Sequence, residues 1–94
     1  MRIFKWPLKP VDFQTIIMPV GAKLLTVQTQ DDEPMVWAMC DPSAQTEVRR
    51  IGIYGTGVEM PSDPRLIYLN TFLMRRDKLV FHAFEVPADV QYAV

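Results

Sequence analysis

Apolar and polar residues alternate in short runs along this chain, and no window carries a convincing helical period. Arg2-Ile3-Phe4-Lys5-Trp6 interleaves charged and apolar residues with the period of two that a strand requires, and Pro7 ends the run. Phe13 to Met18 is a second apolar run, closed by Pro19-Val20-Gly21. Proline second and glycine fourth in a turn beginning at Met18 predict type I. Lys23 to Gln30 is the clearest strand, with Leu25, Val27 and Thr29 on one face and Leu24, Thr26 and Gln28 on the other. The polar stretch Asp31-Asp32-Glu33-Pro34 has the length of a hairpin loop. Met35 to Asp41 returns with Val36, Ala38 and Cys40 opposite Met35, Trp37 and Met39. Both of its faces are apolar, which predicts a central strand or one covered by another subunit.

After the polar loop that opens at Asp41-Pro42-Ser43, Glu47 to Gly55 forms the next strand. Arg49, Ile51 and Ile53 share one of its faces, with Arg50 and Tyr54 opposite. Gly57 to Arg65 is the longest irregular segment. Ile67 to Met74 and Leu79 to Val86 then read as a second hairpin, joined by the charged Arg75-Arg76-Asp77-Lys78. About six or seven short strands at roughly 8–12-residue spacing predict a mainly β domain. The expected architecture is a small antiparallel β-sandwich or barrel with little helix, in a single domain over residues 1–94. Any helix is confined to Pro10–Thr15 or Ala88–Tyr92, and the tail from Pro87 is short and expected to fray.

Composition narrows the function classes. Ten Lys plus Arg against eleven Asp plus Glu leave a net charge of −1, so nothing draws nucleic acid or anionic lipid to the surface as a whole. Any anion site must be local. The apolar fraction of 49% is high for so short a chain and points to a well-filled core or a covering partner. Cys40 is the only cysteine, which excludes an intrachain disulfide. The N-terminus lacks the apolar run of a signal peptide, and no stretch approaches the roughly 18 apolar residues of a membrane span. A cytosolic protein is expected.

Catalytic groups are sparse. Ser43 and Ser62 are the only serines, in proline-adjacent loops without a nucleophile elbow. His82, the only histidine, reads as a strand histidine hydrogen-bonded in place, and one histidine without cysteine or carboxylate pairs at ligand spacing builds no metal site. No enzymatic activity, metal or cofactor is expected. The most informative segment is Arg49-Arg50-Ile51-Gly52-Ile53-Tyr54-Gly55-Thr56-Gly57. Guanidinium forks match phosphate, and glycines let backbone N–H groups approach a ligand. Tyr54, Trp37 or Trp6 could stack on a base. Arg49, Arg50, Tyr54, Gly55, Thr56, Gly57, Trp37 and Trp6 are therefore the candidate ligand-binding residues. A strand ending in a glycine turn, its arginines paired with surface acids, is the plainer reading of the same segment. Gly55-Thr56-Gly57 is neither a P-loop nor a dinucleotide fingerprint.

Met1-Arg2-Ile3-Phe4-Lys5-Trp6-Pro7-Leu8, Met18-Pro19-Val20-Gly21-Ala22-Lys23, Val36-Trp37-Ala38, Tyr54-Gly55-Thr56-Gly57 and Leu79-Val80-Phe81-His82-Ala83-Phe84-Glu85 resemble segments of a small, poorly characterised family of phage and prophage proteins. The likeness spans nearly the whole chain and implies a complete accessory phage protein in the cytoplasm of an infected bacterium. By analogy it implies a non-enzymatic anti-defence protein, a homo-oligomer that sequesters a nucleotide-derived immune signal of the cyclic nucleotide or cyclic ADP-ribose type, without DNA, RNA or membrane as partners. The alternative is a protein–protein interaction module, either an inhibitor of a host defence protein or a minor structural component of the particle.

Overall fold

The computed structural model describes residues 1–91, and every regular element in it is a strand. They are β1 (Arg2–Pro7), β2 (Gln14–Pro19), β3 (Lys23–Gln30), β4 (Glu33–Cys40), β5 (Thr46–Gly55), β6 (Ile67–Met74) and β7 (Leu79–Val86). All pairings are antiparallel. They form a three-stranded sheet A of order β1-β4-β3 and a four-stranded sheet B of order β2-β5-β7-β6. The thinnest extent, 18 Å between Cα atoms, suits two twisted sheets packed about 10 Å apart. The chain is a small β-sandwich.

β4 is central in sheet A, as its two apolar faces predict. Its inward Val36, Ala38 and Cys40 are buried with Val27 of β3, Ile51 and Ile53 of β5, Ala83 of β7, and Phe72 and Met74 of β6. Leu8, just past β1, joins this core, while its N–H donates to the Pro34 carbonyl at 2.9 Å. Cys40 is thus a small core hydrophobe.

The sheets meet along the β3 and β6 edges, where Thr29 Oγ1 donates to the Leu73 carbonyl at 3.1 Å and Asn70 holds Val27. Asn70 Oδ1 accepts the Val27 N–H at 2.7 Å, and Asn70 Nδ2 donates to the Val27 carbonyl at 2.5 Å. The amide imitates a neighbouring strand for a residue that would otherwise face an open edge. Bulges lie in both strands close by, between Leu24 and Thr26 and between Tyr68 and Asn70. Bulges bend and twist their strands, which lets the two edges converge here.

Three local expectations are corrected. The turn after β2 is Pro19-Val20-Gly21-Ala22, one residue later than predicted, closed by Ala22 N–H to the Pro19 carbonyl at 3.1 Å. Gly21 takes its third position at φ +76°, which marks type II, because only glycine adopts that angle cheaply. The β3–β4 loop is shorter than the four-residue stretch: Asp31 and Asp32 alone turn the chain, at φ 53° and 58°, the left-handed pair of a type I′ hairpin. Residues 10–15 hold no helix. The Gln14 amide instead holds Lys9 by both its N–H (2.9 Å) and its carbonyl (2.6 Å), and Gln14 already begins β2. The other helix candidate ends at Tyr92, outside the described residues; within them, residues 87–90 make a turn closed by Val90 N–H to the Pro87 carbonyl at 3.0 Å.

Candidate functional site

β5 carries most of the predicted residues and splits them by face. Arg49 lies on the inner face with Ile51 and Ile53, where a guanidinium must be neutralised. Glu85, inward on β7, does this bidentately: Arg49 Nε to Oε2 at 2.5 Å and Nη2 to Oε1 at 3.0 Å. Arg49 Nη1 also donates to the Ala22 carbonyl at 2.7 Å and lies 3.5 Å from Glu47 Oε2. The hydrogen bonds to Glu85 push the Arg49 pKa up. Arg50, on the outer face, donates to the Pro87 carbonyl and fixes the chain as it leaves β7. Both guanidiniums are already engaged by partners within the chain.

Tyr54 is also on the outer face, yet only 2% exposed. Its ring folds back over Gly52, and Phe84 packs edge-on against it at 6.0 Å between centroids. Tyr68 continues the row at 5.5 Å from Phe84. This aromatic strip crosses β5, β7 and β6. Beside Tyr54 opens a cleft of about 670 Å³ whose apolar wall includes Phe13, Met60 and Val90. Its rim carries Asp12, Glu59 and Asp63. Arg65 pairs with Asp63 at 2.8 Å and reaches Asp89 at 3.3 Å, tying the loop after β5 to the segment after β7. Hydrogen bonds from the Arg65 side chain and N–H hold Asp63 down at about 2. Asp12 and Glu59 form no ion pair among the described residues. The cleft therefore presents negative charge, and a phosphate there would meet repulsion.

Gly55, Thr56 and Gly57 form the turn that leaves β5, closed by Val58 N–H to the Gly55 carbonyl at 3.1 Å, with Gly57 at φ +83°. The Thr56 N–H donates to the Val80 carbonyl at 3.1 Å. Its hydroxyl lies 2.7 Å from His82 Nε2, and Thr71 Oγ1 lies 2.9 Å from His82 Nδ1. Tyr68 extends the chain of contacts, its hydroxyl 2.7 Å from Thr71 Oγ1. Both ring nitrogens of His82 thus have partners, as a hydrogen-bonded strand histidine should. The register that sets His82 between Tyr54 and Thr71 builds this group, which no sequence motif announces.

Trp37 and Trp6 belong to sheet A and do not join this site. Trp6 faces inward at the core margin, in edge contact with Phe4 at 6.3 Å. Trp37 lies on the outer face between Met35 and Met39, with Lys5 and Thr26 as its cross-strand neighbours. Met35, Trp37 and Met39 are all half-buried, and among the described residues no strand packs over them. The predicted residues are thus dispersed: Arg49 on the inner face of sheet B, Arg50 and Tyr54 on its outer face, Gly55, Thr56 and Gly57 in the turn that follows, and Trp6 and Trp37 on opposite faces of sheet A.

Residues 1–93 match the model of a family described as a domain of unknown function, DUF7352. The chain belongs to that family. No curated protein and no solved structure matches it. The description of DUF7352 names no reaction and no ligand, so any chemistry must come from the geometry above. No group of three or more His, Cys, Asp or Glu side chains arranged to hold a metal ion occurs among the described residues.

Proposed function

We propose that this DUF7352 chain acts by binding a protein partner through the outer face of sheet A, without catalysis. One observation carries the reading: Met35, Trp37 and Met39 stand in a row on the central strand, and among the described residues no strand lies over them. Tryptophan and methionine are favoured at interface centres, where a large or adaptable side chain excludes water. Lys5 and Lys23 flank the row, which suits an apolar partner surface with an acidic margin. The setting that goes with this reading is the phage accessory role implied by the sequence resemblance.

The test compares wild type, Trp37→Glu and Val48→Glu as baits in a bacterial lysate. Val48 is exposed on sheet B and serves as the control. A stoichiometric protein held by wild type and Val48→Glu but not by Trp37→Glu supports the reading. Retention by all three, or by none, overturns it.

Nucleotide capture is the second reading, favoured by Arg50, Tyr54 and Thr56 sharing the outer face of sheet B. It requires Arg50 to exchange the Pro87 carbonyl for a phosphate. A cyclic nucleotide at 100 times its Kd should add about 2.7 kcal/mol of stability. Thermal melts against a panel of cyclic nucleotides and cyclic ADP-ribose species decide this, and the protein-binding reading expects no shift.

A further inference from the structure

β1 is the outermost strand of sheet A, paired with β4 on one side and, among the described residues, with no strand on the other. Edge strands usually carry a guard against pairing with another chain: an interior proline, a bulge or an outward lysine. β1 reaches Pro7 before any proline, and its register with β4 runs without a shift. Lys5 does not guard the edge either, because its Nζ turns back across β4 to Gln30 Oε1 on β3. Ile3 is 58% and Phe4 42% exposed, so a pairing strand would cover apolar surface on both faces. β2, the outer strand of sheet B, differs: its inward Ile16 and Met18 are already buried, and a neighbour there would add little inside the sandwich.

We propose that β1 pairs antiparallel with β1 of a second copy, merging two three-stranded sheets A into one continuous sheet across a two-fold axis. An axis normal to the sheet keeps every side chain on its own face, so Arg2, Phe4 and Trp6 can oppose only one another, and Ile3 can oppose only outward residues. Centring on Lys5 sets lysine against lysine. Centring on Ile3 leaves Trp6 beyond the pairing and sets Arg2 against Phe4. Centring on Phe4 places Phe4 against Phe4, Ile3 against Lys5 and Arg2 against Trp6 of the copy. That register opposes no like charges and forms a guanidinium–indole contact at each end. The strand is self-complementary in this register, which is why a second copy is the occupant. The pairing goes beyond the proposed docking on Trp37, which lies on β4, and does not depend on it.

Sedimentation over a range of concentrations should show a dimer for wild type. Phe4→Lys, which opposes two ammonium groups at the axis, should be monomeric with an unchanged β-sheet circular dichroism spectrum. Mild oxidation should crosslink Phe4→Cys to itself, because the axis brings the two positions within disulfide range, while Ile17→Cys on β2 should stay uncrosslinked. Buried Cys40 makes wild type the background control. A monomeric wild type, a dimer that survives Phe4→Lys, or equal crosslinking of Phe4→Cys and Ile17→Cys overturns the pairing and leaves the docking reading of Trp37 standing.

Discussion

A Cβ added to Gly52 would sit 2.7 Å from the Tyr54 hydroxyl oxygen and 2.9 Å from its Cε2. The glycine is there for its missing side chain: its empty place on the outer face is filled by the ring of the residue two positions on. Gly52→Ala must displace a buried ring, so a loss of about 1–3 kcal/mol is expected in urea unfolding. In a Tyr54→Ala background the same change should cost much less, and a double-mutant cycle measures the difference. Asp63 supports a prediction in pH. Its pairing with Arg65 lowers its pKa from 3.8 to about 2 in the folded chain. A depressed carboxylate contributes stability above its unfolded pKa and loses it as pH falls through the folded value. The tether from Asp63 through Arg65 to the segment after β7 should therefore hold above about pH 4 and be lost on acidification to about pH 2. The Asp63 carboxyl resonance should titrate near 2 in wild type and return toward 3.8 in Arg65→Ala.

At the scale of elements, Asn70 makes two of the hydrogen bonds that join β3 to β6. Asn70→Ala removes both hydrogen bonds to Val27 and leaves two main-chain groups of a buried residue without their partner. An unsatisfied buried group costs about 1–3 kcal/mol, so a loss in that range is expected, with faster hydrogen exchange at the Val27 amide. Asn70→Asp separates the two contacts: a carboxylate still accepts from the Val27 N–H but meets its carbonyl with negative charge. It should be no better than alanine at neutral pH. Two signals of these contacts stood in the sequence. Asparagine is a poor strand former in the middle of an otherwise strand-like run, and Glu85 shares a face with Phe81 and Ala83, where a lone carboxylate calls for a cation. Neither signal names its partner, because Val27 and Arg49 lie 43 and 36 residues away.

Across the whole molecule, β3–β4 and β6–β7 are tight hairpins, whereas β1–β4, β2–β5 and β5–β7 join strands distant in sequence. Closing such loops consumes chain entropy before any contact forms. Refolding should be slow for so short a chain, in the millisecond to second range, and stopped-flow tryptophan fluorescence reads it directly. Microsecond refolding would contradict the topology. The core is also thin, since a chain of this size buries only about 60–65% of its unfolded surface. Single truncations at Ile51, Ile53 or Phe72 should therefore be felt by the entire sandwich.

By itself the sequence determined a chain of about six or seven short strands, their positions to within a residue or two, the two faces of β5 and the apolar character of both faces of β4. These follow from a period of two and from proline and glycine punctuation, which act over a few residues. The structure decided on seven strands with β4 in the centre of its sheet. Only the tertiary structure decided that Arg49 is spent on Glu85 and Arg50 on the Pro87 carbonyl, that Tyr54 covers Gly52, that Trp37 and Trp6 stand away from them, and that the cleft beside Tyr54 is rimmed by acids. Each of these depends on strand order and register. Those are set by burying one common core, and no local spacing in the chain encodes them.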